Sequence, residues 1–347
     1  MKKNHLIKII KPDDWHVHLR EGNMMQAVAK YSSRINQRCI VMPNLKIPIT
    51  TTLQGKDYID SILALNLENN FTPLLPCYLT TTLDLNDFKF GLQTKIFIGG
   101  KLYPSNATTN SSYGISNIKN IFSALEILEE LNKPLLVHGE KIGDNIDIFD
   151  REKYFIDEEL VFIREKFPKL KIILEHVSSK YGADYVNSNN NIAGTITPQH
   201  MMLTKDDVFF KESLNPHYYC MPVVKEETDL IALRNYACSG NSKFFLGTDS
   251  APHHIDTKVP NFSSKPGIFS AFCSIELYTS IFDEENALEQ LENFCSINGP
   301  NFYKLPINSD YIELIRNKWL VPEYVEYNNV KVKNFMGGIE MDWKVKE

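Results

Sequence analysis

In the stretch "DDWHVHLREG" (13–22), two histidines stand one residue apart and an arginine follows two positions later. Residues two apart in an extended chain point the same way. His16, His18 and Arg20 therefore share a face, and Trp15, Val17 and Leu19 are expected to pack outward on the other. An amphipathic edge strand with a solvated polar face has this pattern, and so has a pair of metal-ligating imidazoles. Neutral imidazole and carboxylate are ordinary ligands for zinc and similar divalent ions. More polar residues interrupt apolar runs further on: Asn44 in "VMPNL", Lys101 in "GGKLYP", His138 in "LLVHGE", His176 in "LEHVSS" and Asp249 in "LGTDSAPH". A lone strand-end histidine is more often a satisfied structural residue. Four histidines with a lysine and an aspartate reverse that weighting.

Lys101 is the odd member of such a set. An ammonium beside a dication is strongly unfavourable, so it must face away or change its chemistry. A neutral lysine amine can add carbon dioxide to give a carbamate, whose two oxygens could bridge metal ions about 3.5–4 Å apart. An ion-pair lysine and the Schiff-base lysine of an aldolase barrel are the rival readings. The surrounding histidines favour the metal reading over the Schiff base.

These residues need elements to hold them. Apolar runs of strand length recur at 14–20, 38–44, 72–79, 94–104, 133–140, 171–178, 191–200 and 243–252. Helical spacing lies between several of them, as in 117–132 and in 228–240, which ends in a glycine stop signal. Eight strands alternating with helices predict an α/β protein, a (β/α)8 TIM barrel. An open doubly wound sheet is the alternative, but no G-x-G-x-x-G follows the first strand. In a barrel the C-terminal strand ends converge on one mouth, and the interrupting polar residues fall at those ends. Residues 267–282 are expected to form the eighth barrel helix and 287–299 another. The tail from Tyr324 alternates like a short hairpin. The chain reads as a single domain over 1–347, with residues ~285–347 as a C-terminal extension decorating the barrel.

The bulk numbers narrow the function classes. The 347 residues are 43% hydrophobic, enough for a substantial core. A net charge of −6 without basic runs argues against nucleic acid as a partner. No apolar window is long enough to span a bilayer. The opening "MKKNHLIKIIKPDDW" has its apolar stretch broken by Lys8 and Lys11, so no signal peptide is expected. Cys39, Cys77, Cys220, Cys238, Cys273 and Cys295 form no C-x-x-C pair, which fits reduced thiols in a cytoplasmic protein.

The segments "DWHVHLREG", "VMPNL", "GGKLYPSNATTNSSYG", "LLVHGE", "LEHVSS", "TPQHM", "NPHYYCMP" and "LGTDSAPH" together resemble the metal-dependent amidohydrolase superfamily, and within it the shorter, single-function dihydroorotases. The match runs through residue 270. The resemblance implies reversible cyclisation of N-carbamoyl-L-aspartate to L-dihydroorotate and water, the third step of pyrimidine synthesis. It implies two zinc ions per subunit, one held by His16, His18 and Asp249 and the other by His138 and His176. A carboxylated Lys101 and a hydroxide would bridge them, the hydroxide serving as nucleophile and Asp249 as general acid and base. Arg20, Asn44 and His253 would take the substrate carboxylate, and Met221 and Pro266 would offer backbone groups. Thr108 and Thr109, in the loop 105–114, would reach the substrate as a mobile lid. Pro266 departs from the small residues that relatives often carry there, and proline has no N–H to donate. His200 and His217 match family positions and are read as supports. A homodimer is implied. Two other readings remain: a hydantoinase or allantoinase with the same metals, and a catalytically dead scaffold protein.

Overall fold

The computed structural model describes residues 6–67, 70–210 and 213–346; the first five residues of the opening stretch, where no signal peptide is expected, lie outside them. All eight expected barrel strands are present, each shorter than its apolar run. They are Asp13–Val17, Arg38–Val41, the split pair Thr72–Leu74 and Cys77–Tyr78, Gly100–Leu102, Leu135–Val137, Ile172–Leu174, Ile192–Ile196 and Phe244–Leu246. Neighbours pair in parallel and in chain order. The third strand breaks around Pro76, which has no N–H for a ladder; its first half pairs with Arg38–Val41 and its second with Gly100–Leu102. The eighth strand closes on the first through a bridge between Val17 and Ser250. His18 N–H donates to Ser250 O (3.0 Å) and Asp249 N–H to His16 O (2.9 Å) across that seam.

The strands are apolar on both faces because both are buried. Cys39, Val41, Leu135, Val137, Ile172, Leu174 and Leu246 pack outward against the helices. Ile40, Leu136, Ile173, Ala193 and Phe245 fill the barrel interior. Val17 and Leu19 belong to the outer group, as expected. Trp15 does not: it joins the interior set and stacks on Tyr303, ring centroids 4.4 Å apart. The cause is an irregularity in the pairing of the first two strands between Asp14 and Val17, which breaks the two-residue alternation. Gly299 is required beneath this indole, since a Cβ there would lie 1.9 Å from Trp15 Nε1.

The helices expected in 117–132 and 228–240 form as Phe122–Glu130, preceded by the 3-10 turn Ile118–Ile121, and Glu227–Cys238. The eighth barrel helix is shorter than predicted, Ser274–Glu284. Residues 267–273 stay out of the helix as a bridge segment and a turn, because Ser250 Oγ accepts the N–H groups of Ser270 and Ala271 and Ile268 bridges to Ser250. The stretch 287–299 is a 3-10 turn, a π-helical turn and the start of the helix Asn298–Tyr303 rather than one helix. The tail hairpin is present as Tyr324–Tyr327 against Val330–Lys333. Beyond expectation, Leu6–Ile10 and Glu340–Val345 flank Tyr311–Leu320 in an antiparallel sheet that joins the two ends of the described chain. No helix among the described residues is long and apolar enough to cross a membrane. All six cysteines are free thiols.

Candidate metal centre and substrate site

The barrel brings the sequence-singled residues to one mouth. His16, His18, Asp249, His138, His176, Arg20, Asn44, Thr108, Thr109, Met221 and Pro266 line a single cavity; Lys101 is fully buried beneath it. Three of these residues hold left-handed backbone, Arg20 (φ 63°), His176 (φ 40°) and Asp249 (φ 45°). Such conformations cost about 1–3 kcal/mol each for side-chain-bearing residues and cluster where a function fixes geometry.

One ligand atom each from His16, His18 and Asp249 lies within 4.8 Å of the others. His16 Nε2 stands 3.3 Å from His18 Nε2 and 3.2 Å from Asp249 Oδ1, and His18 Nε2 stands 3.1 Å from that same oxygen. On the other side, His138 Nδ1 faces His176 Nε2 at 3.1 Å. Burial lowers the pKa of His18 to about 3, helped by the Arg20 charge. Burial also drives His176 well below its ordinary value, with His138 adding to the effect. Both rings are therefore neutral and offer lone pairs. His16 differs. Burial pulls it down, but the Glu175 and Asp249 carboxylates outweigh burial and hold it up at about 9. Burial pushes Asp249 up, yet the His16 charge and hydrogen bonds from His16 and His18 keep it an anion.

Two carboxylates absent from the sequence reading sit behind the imidazoles. Glu140 Oε2 lies 2.7 Å from His138 Nε2, so that nitrogen donates and Nδ1 keeps its lone pair toward the cavity. Glu175 Oε1 lies 3.0 Å from His16 Nδ1, and its other oxygen pairs with Lys101. Both are fully buried. A carboxylate behind a ligating histidine sets its tautomer and raises its basicity. The signal was in "LLVHGE" and "LEHVSS", where an acid interrupts an apolar run beside the histidine. A third buried acid, Asp14, accepts from Thr248 N–H (2.9 Å) and from the backbone N–H of His16 (3.1 Å), tying the first strand to the eighth.

Arg20 reaches His253, Nη2 to Nε2 3.2 Å, and donates from Nε to Pro252 O at 3.2 Å. The same His253 nitrogen lies 2.9 Å from Pro266 O, so Pro266 meets the site through its carbonyl. Asn44 holds the lid loop: its amide donates to Thr109 O (2.9 Å), and Asn110 donates back to Asn44 O (3.0 Å). Thr109 Oγ1 and Asn44 Oδ1 are buried without a hydrogen-bond partner, as groups awaiting a ligand are. The two support histidines stand apart from the ligand set. His200 bridges Thr197 Oγ1 (2.7 Å) and Pro222 O (3.0 Å), and burial lowers its pKa to about 4. His217 lines a separate small cavity beside Lys258.

The donor set fits a cation. Imidazole nitrogens face one another in pairs, His176 Nδ1 is buried without a hydrogen-bond partner, and the carboxylates of Asp249, Glu175 and Glu140 surround them. Comparison with known proteins agrees. Residues 6–322 match the amidohydrolase family. A dihydroorotase of Photorhabdus laumondii is 46% identical over 346 residues, covering 99% of this chain and 98% of that protein. Among solved structures, a Campylobacter jejuni dihydroorotase superposes with a TM-score of 0.91 at 32% identity, covering 100% of this chain and 99% of the other. A Saccharomyces cerevisiae dihydroorotase in complex with 5-fluoroorotic acid gives 0.91 at 31%, covering 99% of each chain. The chain belongs to the amidohydrolase family, and within it to the dihydroorotases.

Proposed function

We propose that this chain interconverts L-dihydroorotate and N-carbamoyl-L-aspartate in pyrimidine synthesis, using two zinc ions. His16, His18 and Asp249 would hold one, His138 and His176 the other, with Lys101, as a carbamate, shared between them. When bound, the ions supply positive charge for the amide carbonyl under attack and lower the pKa of water. The rest of the chemistry belongs to the chain. Arg20, with His253 against it, takes the substrate carboxylate as a charge-assisted clamp. Asp249, kept ionised among His16 and His18, accepts a proton from the attacking water. It returns that proton to the ring nitrogen as the C–N bond breaks and the C–O bond forms. Glu140 and Glu175 orient His138 and His16. Thr109, drawn in by Asn44, covers the mouth and excludes bulk water.

The observation that carries this reading is the convergence of His16, His18 and Asp249 with Arg20, itself backed by His253, in one cavity. A cationic clamp next to a metal set suits a small cyclic amide bearing a carboxylate. It does not suit the uncharged ring of a hydantoin. Turnover of dihydroorotate, hydantoin and allantoin by the zinc-loaded protein is the test. Dihydroorotate is expected to be opened and the other two left intact; no opening of dihydroorotate would refute the assignment, and purification without stoichiometric zinc would favour a scaffold. The proposal extends to a homodimer, checked by sedimentation, and to a cytoplasmic setting, with which six free thiols are consistent.

A further inference from the structure

The segment 253–267, after the eighth barrel strand, carries Pro266 and Gly267 to the cavity and His253 to Arg20 beside it, yet its only regular element is the 3-10 turn Ile255–Thr257. Pro266 and Gly267, at its far end, carry no polar side-chain group. A Cβ on Gly267 (φ 146°) would meet Ala251 O at 2.6 Å and His253 Cδ2 at 2.9 Å, and Pro266 has no N–H. Carbonyl oxygens remain as handles, and Lys258 takes them. Its Nζ donates to Lys265 O (2.8 Å), Gly267 O (2.8 Å) and Tyr219 O (3.2 Å). Three acceptors match the three N–H groups of an ammonium. Gly267 N–H also donates to Tyr219 O at 2.9 Å. The loop that ends in Met221 is thereby joined to the loop that ends in Gly267, and Met221, Pro266 and Gly267 all line the cavity.

We propose that Lys258 is a positioning residue for the substrate: by gathering the carbonyls of Tyr219, Lys265 and Gly267 it fixes the backbone of Met221 and of Pro266–Gly267 around the substrate ring. The inference rests on the reading of the cavity as the dihydroorotate site. Lys258 touches neither the metal ligands nor Arg20, so its loss should appear in binding rather than in the chemical step. In Lys258→Met, the KM for dihydroorotate and the dissociation constant of 5-fluoroorotic acid should each rise about tenfold, with kcat changed less than about threefold. Zinc content should equal that of the parent. Lys258→Gln keeps one donating amide and should fall between the two, which preserves the test if the methionine variant folds poorly. A lowered melting temperature with unchanged KM and unchanged 5-fluoroorotic acid binding in both variants would overturn the positioning role. If the parent itself neither opens dihydroorotate nor binds 5-fluoroorotic acid, the reading of the cavity fails and this inference falls with it.

Discussion

The bowl of the site and its rim are built by different means. The bowl consists of side chains at strand ends: His16, His18, Lys101, His138, His176 and Asp249, all buried, with Glu140 and Glu175 behind them. Ladder pairing sets their spacing, as across the seam where Asp249 N–H meets His16 O at 2.9 Å. The rim is made of loops and uses backbone atoms as much as side chains: Thr109 O, Pro266 O, Tyr219 O and Gly267 O are all engaged. A bowl of this kind should govern metal binding and the chemical step, whereas the rim should govern which substrate stays and for how long.

Lys101→Ala tests the bowl most severely. Removing the one group proposed to be shared by both ions should abolish two-metal binding and lower turnover at least about a thousandfold. Elemental analysis and a dihydroorotate assay report both; full activity would refute the bridging role. Arg20→Met tests the rim. It should raise the KM for dihydroorotate about a hundredfold through loss of a charge-assisted clamp, with zinc per chain unchanged. Loss of zinc in this variant would mean that the two regions are not separable. Glu140→Gln lies between them. It keeps the shape but removes the charge behind His138, and zinc affinity measured by chelator competition should fall about ten- to thirtyfold.

The two regions also differed in how far they could be read from the sequence. The bowl was legible because histidine, lysine or aspartate inside an apolar strand has few structural explanations, and because eight such strands imply a common mouth. Trp15 escaped that logic, since the irregularity between Asp14 and Val17 arises from pairing with the neighbouring strand. Glu140 and Glu175 stood in the very motifs that exposed His138 and His176, but an acid one or two residues from a histidine does not reveal which imidazole it will meet. Glu175 meets the distant His16. The rim was hardest to read because a carbonyl oxygen carries no residue identity. Nothing in "SSKPG" announces that Lys258 will hold its backbone, and the helix expected from 267 begins only at Ser274, because Ser250 Oγ takes the N–H groups of Ser270 and Ala271. The sheet formed by Leu6–Ile10, Tyr311–Leu320 and Glu340–Val345 was equally hidden, as its partners lie near opposite ends of the chain.

The smallest effect expected is at the latch between lid and bowl. Asn110 donates to Asn44 O at 3.0 Å while Asn44 donates to Thr109 O at 2.9 Å, so two hydrogen bonds hold the loop inward. Asn110 has φ 55°, a left-handed conformation that asparagine tolerates and alanine does not. Asn110→Ala would therefore mix loss of the latch with backbone strain, and Asn110→Gly separates them, because glycine adopts this φ freely. Removing one net hydrogen bond of about 1 kcal/mol should raise the KM for dihydroorotate about fivefold in the glycine variant, with zinc content untouched. The alanine variant should be weaker than the glycine variant by a similar factor. Equal KM values in the parent and the glycine variant would show that this latch contributes nothing to substrate retention, leaving closure to Asn44 and Thr109.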